Sequence, residues 1–415
     1  MRKRVIGIGL TLAVSVVTAG FVAMAQDMGV TRTKIKLGTW GPLSGPAASF
    51  GNVMLGIETL VNKVNAEGGI NGRKIELLKR DDNYEAARTK LVVKDLVERQ
   101  GVFALVGGVG TPNGLAILPD VIANAIPWVS PATGSTEFSQ VKTNGKLKSP
   151  TVFSTFTNYE IESKLLLRHA VNTLKLDKVA VFYFNTSFGL EGARGVESEV
   201  KELGVTKVTL VAKVPHEPTE TNLASQALKL RDSGATAVVM YTSDGFAIPL
   251  LQEMAKINYK PQILASSVLA TSTMFRAGPT SQWNGAIIAN FIPFPSALLV
   301  DGKGDPKADA VVAEILKYAP NQDVVKADLP RVLAGYAFAQ PLIEGLKRAG
   351  PELTREKFVK AMESLKNWQG SLFNGISFSP TDRQGNNSVF LVKAAFAPRP
   401  GFSSVGGWVS FNSER

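Results

Sequence analysis

Two strand-to-helix turns lie close together in residues 102–138, and this stretch constrains the fold more than any other part of the sequence. The apolar run 102–106 opens into Gly-Gly-Val-Gly-Thr-Pro, and the run 126–130 opens into Pro-Ala-Thr-Gly-Ser. This order predicts a strand, a helix and a second strand that lies parallel to the first. The apolar residues that recur at helical spacing between the turns are Leu115, Leu118, Ile122 and Ala125.

The loops after these two strands are the first candidates for a binding site. The carboxyl ends of neighbouring parallel strands meet at one edge of a sheet, where open α/β sheets bind their ligands. Helix N-termini leave backbone N–H groups unpaired and carry partial positive charge, so this edge attracts an anionic group. We therefore predict that the two loops form half of a cleft for a small molecule.

Strand and helix patterns alternate along most of the chain. Short apolar runs and amphipathic helices follow one another from residue 34 to residue 130, and again from residue 159 to residue 265. Such alternation predicts parallel sheets that are covered by helices. At 415 residues the chain is also long for a single hydrophobic core. The predicted fold class is α/β, with two doubly wound α/β lobes.

Three stretches mark the places where we expect the chain to pass between the lobes. They lie near residues 142–157, 292–295 and 373–380. The helical patterns that follow the second passage are assigned back to the first lobe. The predicted division gives lobe 1 as residues 26–155 and 293–376, and lobe 2 as residues 156–292 and 377–415.

The first 25 residues have the pattern of a secretory signal peptide. Arg2-Lys3-Arg4 precede an apolar run, and Ala23-Met24-Ala25 resemble a cleavage site. A retained membrane anchor is the alternative, but glycine, serine and threonine interrupt the run. The sequence contains no cysteine, so a lipid-bearing cysteine at the cleavage point is excluded. We expect a mature protein that is free in the periplasm.

The net charge of +11 suggests a nucleic-acid partner, but the distribution of the charges does not. Lysine and arginine are scattered among aspartate and glutamate, and no aromatic residues accompany the one modest lysine cluster, at residues 142–148. This pattern is typical of a solvated basic surface. We expect no nucleic-acid partner.

Asp81 and Asp82 follow a predicted strand and could ligate a metal ion. No histidine or third carboxylate follows them at a suitable spacing. We therefore expect the two carboxylates to accept hydrogen bonds from backbone donors near the start of the next helix. No metal and no cofactor is expected.

Several motifs together resemble one family of transport proteins. The most specific is the turn at residues 65–73, Asn-Ala-Glu-Gly-Gly-Ile-Asn-Gly-Arg. The resemblance is to the leucine/isoleucine/valine-binding (branched-chain amino acid) family, the periplasmic substrate-binding components of ABC importers. The other matching motifs are residues 42–46 with Phe50-Gly51, Asp81-Asp82, Ile126-Pro127 and Ser130-Pro131.

The resemblance implies a type I periplasmic binding protein fold, in which three crossover strands join two lobes. Such a protein captures a small amino acid or related carboxylate when the lobes close about their hinge. It is not an enzyme, and it delivers the solute to a membrane permease. We expect a monomer.

The resemblance also implies roles for individual residues. Thr111 is similar to the hydroxyl residue that binds the ligand carboxylate, and Ala132 to the position whose backbone assists. Gly134 stands where threonine is common in the family. Phe50 and Phe188 match positions at which an aromatic ring covers the ligand side chain.

At two positions the sequence departs from the family pattern. Ser267 stands where branched-chain members place a carboxylate opposite the ligand ammonium, and Ser243 where an aromatic hydroxyl is usual. A buried ammonium without a carboxylate costs several kcal/mol. Unless Asp244 or Glu160 reaches the cleft, a carboxylate with an apolar or aromatic body becomes the competing ligand. Its expected walls are Trp40, Phe50, Phe188 and Tyr241.

Other classes of function fit the sequence less well. Gly108, Gly110 and Gly114 approach a dinucleotide fingerprint, but the third glycine is one residue late and no acidic residue ends the next strand. A hydrolase would need a nucleophile elbow, which is absent. His169 is expected to pack along a helix and His216 to lie at the surface. A ligand-sensing domain would share the fold, but no kinase or DNA-binding pattern accompanies it, so we expect transport.

Overall fold

The computed structural model describes residues 27–45, 47–140, 146–370 and 372–411. Within these residues the chain forms thirteen α-helices and twelve strands, which belong to two sheets. The predicted signal peptide, residues 1–25, lies outside the described residues. No helix in the described ranges is both long and apolar enough to cross a bilayer.

The first sheet has five parallel strands in the order β2-β1-β3-β4-β5. The early helices α1 (Asn52–Ala66), α2 (Ala86–Lys94) and α3 (Thr111–Ala123) connect its first four strands. The strands are β1 (Lys34–Gly41), β2 (Lys74–Asp81), β3 (Ala104–Val106), β4 (Trp128–Val129) and β5 (Val152–Phe153).

The second sheet has seven strands in the order β12-β11-β10-β9-β8-β6-β7, and its last two strands along the chain run antiparallel to their neighbours. Its strands are β6 (Lys178–Phe184), β7 (Thr209–His216), β8 (Ala237–Tyr241), β9 (Gln262–Ala265), β10 (Ile287–Asn290), β11 (Ser388–Ala395) and β12 (Gly401–Ser410). The helices between β5 and β10 are α4 (Tyr159–Asn172), α5 (Ser187–Leu203), α6 (Ala224–Asp232), α7 (Asp244–Lys256), α8 (Ser272–Ala277) and α9 (Thr280–Trp283).

Between β10 and β11 come four helices, of which two pack directly against α1. These helices are α10 (Pro306–Tyr318), α11 (Gln322–Ala327), α12 (Leu329–Ala349) and α13 (Arg355–Glu363). All strands of the first sheet fall within residues 34–153 and those of the second within 178–410. The lobe boundaries themselves remain a prediction.

The first connection between the lobes lies beside residues 383–385 of the third, a few residues later than the predicted passage at 373–380. The Ser154 N–H donates to the Arg383 carbonyl at 2.9 Å, and the Gly385 N–H donates to the Ser154 carbonyl at 2.7 Å. The Gln384 amide then donates to the carbonyl of Phe156 at 2.9 Å. The two segments therefore form a short parallel ladder between the sheets.

The helix predicted between the two turns is α3. Leu115 and Leu118 are partly buried against the core, Ile117 and Val121 are fully buried in it, and Ala125 is exposed beyond the end of the helix. The sequence patterns did not predict β12, because its residues 403–410 are largely exposed and so lack an apolar pattern.

α1 and α12 approach each other closely at two glycines. A Cβ atom at Gly56 would lie 1.9 Å from the Val332 carbonyl oxygen, and one at Gly335 would lie 1.8 Å from the Val53 carbonyl oxygen. Both neighbours are backbone atoms, which cannot move away without shifting a helix. Glycine is therefore required at both positions for this packing.

We expect Gly335→Ala to lower the free energy of unfolding by about 1–3 kcal/mol, because the added methyl group overpacks the helix contact. Chemical denaturation measures the change. Gly407→Ala is the control, since a Cβ atom there meets nothing within 4 Å and the residue has no positive φ. Equal stability of the two variants would show that the α1–α12 contact yields without cost.

Candidate functional site

A cavity lies between the two lobes at the carboxyl edge of both sheets. Its volume is about 120 Å³; an apolar cavity of about 150 Å³ holds a benzene molecule. The cavity is therefore of the size of a single ring or a short branched chain. Its aromatic lining consists of Phe50, Tyr84, Phe156, Tyr159, Phe188, Phe291, Phe294 and Phe338. The polar side chains on its wall include Thr111, Ser267, Thr271, Asn290 and Arg331.

Thr111 lies at the wall as predicted by the pattern of the first turn. It is the first residue of α3, and the preceding Gly110 has a φ of +105°, which aims the helix N-terminus at the cavity. The Thr111 hydroxyl is 2.6 Å from that of Thr133, which lies 3.4 Å from the Tyr159 hydroxyl. A helix N-terminus with hydroxyl groups beside it attracts a carboxylate.

Ala132 lines the cavity, but its backbone N–H is already engaged. It donates to the Gly108 carbonyl at 3.1 Å, so it cannot also bind a ligand oxygen. Gly134 does not line the cavity. A Cβ atom there would lie 2.8 Å from the Tyr159 ring and 2.7 Å from the Thr157 carbonyl oxygen. The Tyr159 ring therefore occupies the space that a larger side chain at residue 134 would need.

Phe50 and Phe188 both lie on the wall, as the resemblance implies. Phe50 comes from the first lobe and packs against Tyr84 in a tilted arrangement, with 5.8 Å between ring centroids. Phe188 is near the N-terminus of α5 in the second lobe and packs against Tyr159 at 5.1 Å. Rings from both lobes thus face one another across the cavity.

Trp40 and Tyr241, the other two expected walls, do not line the cavity. Trp40 is fully buried against Trp128, with ring centroids 5.2 Å apart, in the core behind the first sheet. Tyr241 is also fully buried, and its hydroxyl donates to the Tyr159 carbonyl at 3.0 Å. Both rings belong to the packing that supports the site.

Arg331 is a site residue that the sequence patterns did not reveal. It lies in α12 with only 7% of its side chain exposed, and its guanidinium sits 5.0 Å from the centroid of the Phe50 ring. It donates to Asp328 at 2.9 Å and to Asp244 at 3.1 Å. Burial lowers the pKa of the guanidinium, but the two carboxylates outweigh this and raise it above its ordinary value. The sequence feature that could have identified Arg331 is its position as a charged residue on an otherwise apolar face of a predicted helix.

Asp244 and Ser243 do not line the cavity. Asp244 begins α7 in the second lobe and forms an ion pair with Arg331 of the first lobe. Its carboxylate is therefore not free to pair with a ligand ammonium group. The carbonyl of Ser243 accepts from the Ala247 N–H at 2.9 Å and starts the same helix. Their inclusion among the ligand-binding residues is therefore not supported by their positions.

A second polar contact joins the lobes. The N–H and the hydroxyl of Thr136 donate to the Glu191 carboxylate at 2.7 and 2.9 Å. Thr136 follows β4 of the first sheet, and Glu191 lies in α5 beside the second. Together with the Arg331–Asp244 pair, this contact joins the two lobes beside the cavity.

Ser267 lines the cavity and binds a buried carboxyl behind it. Its hydroxyl donates to Oε1 of Glu162, which is fully buried in the first turn of α4. Oε2 of Glu162 has no hydrogen-bond partner among the described residues. Burial raises the pKa of the Glu162 carboxyl to about 7, although hydrogen bonds from Ser267 and Ser266 oppose the shift. Glu160, the residue considered from sequence, is exposed instead.

The acidic pair at the end of β2 satisfies backbone donors as expected from the sequence, but neither carboxylate caps α2, whose N-terminus has no side-chain cap. Asp81 accepts from the Leu43 and Asn83 N–H groups at 2.9 and 3.0 Å. Asp82 accepts from the Tyr84 N–H at 3.0 Å and from Asn113 at 2.9 Å. No group of three potential metal ligands occurs among the residues that the structure describes.

The prediction that His216 lies at the surface was wrong. Its ring is 1% exposed and stacks against Phe184 at 4.9 Å, with Nε2 2.7 Å from the Thr242 hydroxyl. Burial lowers the pKa of the imidazole to about 4. The last residue of β7 points inward here, and the ring stays neutral in an aromatic cluster remote from the cavity wall.

Two α/β lobes with an aromatic-lined cavity between them are the architecture of a solute-binding protein. The sequence model of the Periplasmic binding protein family matches residues 34–397. The chain therefore belongs to this family of non-enzymatic solute binders, which places it in the periplasm.

Three comparisons show the range of similar proteins. Leu/Ile/Val-binding protein homolog 3 of Brucella melitensis is 25% identical over 354 residues, 84% of this chain and 87% of that protein. The fatty acid ABC transporter substrate-binding protein from Thermomonospora curvata superposes with a TM-score of 0.78 at 21% identity, covering 93% and 95% of the two chains. An ABC transporter solute-binding protein from R. palustris, solved with 4-hydroxybenzoate, gives 0.75 at 20%, covering 91% and 97%.

These likenesses confirm the family resemblance and the type I periplasmic binding protein fold that the sequence predicted. The alignments do not always span the whole relative: the one with Leu/Ile/Val-binding protein homolog 7 of Brucella suis covers 63% of that protein.

Glu162→Gln should change how stability depends on pH. A carboxyl whose pKa rises from 4.5 to about 7 on folding holds its proton more tightly in the folded state. Its contribution is then complete below pH 4.5 and is lost as the pH rises towards 7. We expect the variant to gain up to about 3 kcal/mol relative to the wild type at pH 8 and little at pH 4.

Denaturant unfolding at several pH values measures this difference. Glu160→Gln is the matched control, because Glu160 is exposed in the same turn of α4. A constant difference between Glu162→Gln and the wild type from pH 4 to pH 8 would contradict the assignment.

Proposed function

We propose that the protein binds a small carboxylate with an aromatic or apolar body and delivers it to the membrane permease of an ABC importer. Names of similar proteins support this class of ligand: branched-chain amino acids, a fatty acid and 4-hydroxybenzoate all pair a carboxylate with an apolar body. The proposal names a chemical class and leaves the individual solute to experiment.

The composition of the cavity wall carries the proposal. Eight of its lining residues are aromatic, and none of the described lining residues is an aspartate or a glutamate. An ammonium group would lose its hydration there without meeting a carboxylate directly, at a cost of several kcal/mol. A carboxylate with an uncharged body avoids that cost, since the rings cover the body.

The carboxylate of the ligand is assigned to the end of the cavity at Thr111. Because Pro112 has no N–H, the start of α3 offers the backbone N–H groups of Thr111 and Asn113, and the Thr111 hydroxyl adds another polar group. Tyr159 extends the same group of hydroxyls from the second lobe. Closing the lobes thus completes the polar end of the site from both sides.

Hinged closure then links binding to transport. When Phe188 of the second lobe meets the first lobe, water leaves the cavity and the polar contacts inside it strengthen. A ligand that contacts both lobes favours the closed state over the open one. The Arg331–Asp244 and Thr136–Glu191 contacts form in that state, and the closed monomer presents both lobes to the permease.

Calorimetry with four acids tests the choice of ligand class. The panel is 3-phenylpropanoate, 3-methylbutanoate, L-valine and L-phenylalanine, so that each apolar skeleton is tried with and without an ammonium group. We expect at least one of the acids without nitrogen to bind, and to bind more tightly than the amino acid of similar body. Tight binding of L-valine alone would instead identify an amino-acid binder.

Thr111→Val should weaken binding of the best acid by about 5- to 100-fold, because it leaves the carboxylate short of one donor. The measurement is the dissociation constant by calorimetry, together with the melting temperature of the empty protein. Thr209→Val, at an exposed position in β7, is the matched control. Unchanged affinity in Thr111→Val would remove Thr111 from the ligand site.

A further inference from the structure

The second lobe contributes a separate polar patch to the cavity, made by Ser267 and Thr271. Both residues lie in the loop that follows β9, and both line the cavity. Thr271 is 2% exposed, and its hydroxyl has no hydrogen-bond partner among the described residues. A buried hydroxyl without a partner costs free energy in the empty protein, so its position on the wall points to a ligand group.

Glu162 determines which way the Ser267 hydroxyl points. When the Glu162 carboxyl is ionised, the Ser267 O–H donates to it, and the lone pairs of the Ser267 oxygen remain free for a hydrogen bond from the cavity side. Glu162 itself is fully buried with an unpartnered Oε2 and is not a lining residue. It therefore acts as a positioning residue for Ser267, and the patch offers an acceptor to the ligand.

We propose that Ser267 and Thr271, with Glu162 behind them, form a subsite that accepts a hydrogen bond from a hydroxyl group on the ligand. The ligand is then a hydroxyl-bearing carboxylate, which the first lobe holds by its carboxylate and the second by its hydroxyl. This inference rests on the proposed function.

A hydroxyl fits this patch better than an ammonium group. The two side chains that this patch presents to the cavity, Ser267 and Thr271, are neutral hydroxyls. The Glu162 carboxyl lies behind Ser267 rather than on the wall. A neutral hydroxyl needs one acceptor, whereas a buried ammonium needs a charged partner and several acceptors. The subsite therefore distinguishes hydroxy acids from both the parent acids and the amino acids.

Two sets of probes with matched skeletons test the subsite by calorimetry. One set is benzoate, 4-hydroxybenzoate and 4-aminobenzoate; the other is 3-methylbutanoate, its 2-hydroxy derivative and L-valine. In at least one set we expect the hydroxyl compound to bind about tenfold more tightly than its parent. The amine compound should bind no more tightly than the hydroxyl compound.

The variants Ser267→Ala, Thr271→Val and Glu162→Gln should each reduce this hydroxyl preference, measured in each variant as the ratio of the dissociation constants of the parent acid and its hydroxyl derivative. Two substitutions at the wall keep the test valid if one of the variants fails to fold. Ser281→Ala, at an exposed position, is the matched control and should retain the full preference.

The outcomes separate the two proposals. If the parent acids bind but hydroxyl compounds gain nothing, or if the gain survives in all three variants, the subsite is overturned while the proposed function stands. A larger gain for L-valine, which carries an ammonium group, overturns the hydroxyl assignment in favour of an ammonium site. A larger gain for 4-aminobenzoate, whose amine is neutral, overturns it in favour of a neutral amine. If no acid in either set binds, the proposed function fails and the subsite fails with it.

Discussion

The closed arrangement of the lobes depends on a buried positive charge. The Arg331 side chain is almost completely buried, and a buried charge is tolerated only when it is paired and hydrogen-bonded. One of its partners, Asp328, lies next to it in the same lobe, whereas the other, Asp244, belongs to the opposite lobe. Opening the cleft would separate Arg331 from Asp244 but return both groups to water. Because both groups regain hydration on opening, the ion pair by itself favours the closed lobes less than its short distances suggest.

Parts of the fold and the site could be predicted because their signal is local. The strands β1 to β4 and the turn before α3 follow from short apolar runs and glycines, and these features also place Thr111 at the sheet edge. Phe50 and Phe188 followed from the family resemblance. In each case the residue and the loop that positions it are neighbours in sequence.

The residues that the sequence did not reveal depend on distant partners. Arg331 is paired across the cleft with a residue 87 positions away, and Glu162 meets Ser267 across 105 positions. Nothing close to Glu162 in the chain distinguishes it from the exposed Glu160, two residues before it. His216 was misplaced for a related reason, since only the assembled sheet shows that Phe184 and Thr242 surround it.

The ladder between the first and third connections limits how the lobes can move. Sliding one segment along the other would break the hydrogen bonds between Ser154 and residues 383 and 385, as well as that of Gln384. A rotation about the line of the ladder keeps all of them. We therefore expect the two lobes to open by a hinge rotation about the axis of the ladder, with little sliding of one connection along the other. Both faces of the cleft then keep their register through each cycle of capture and release.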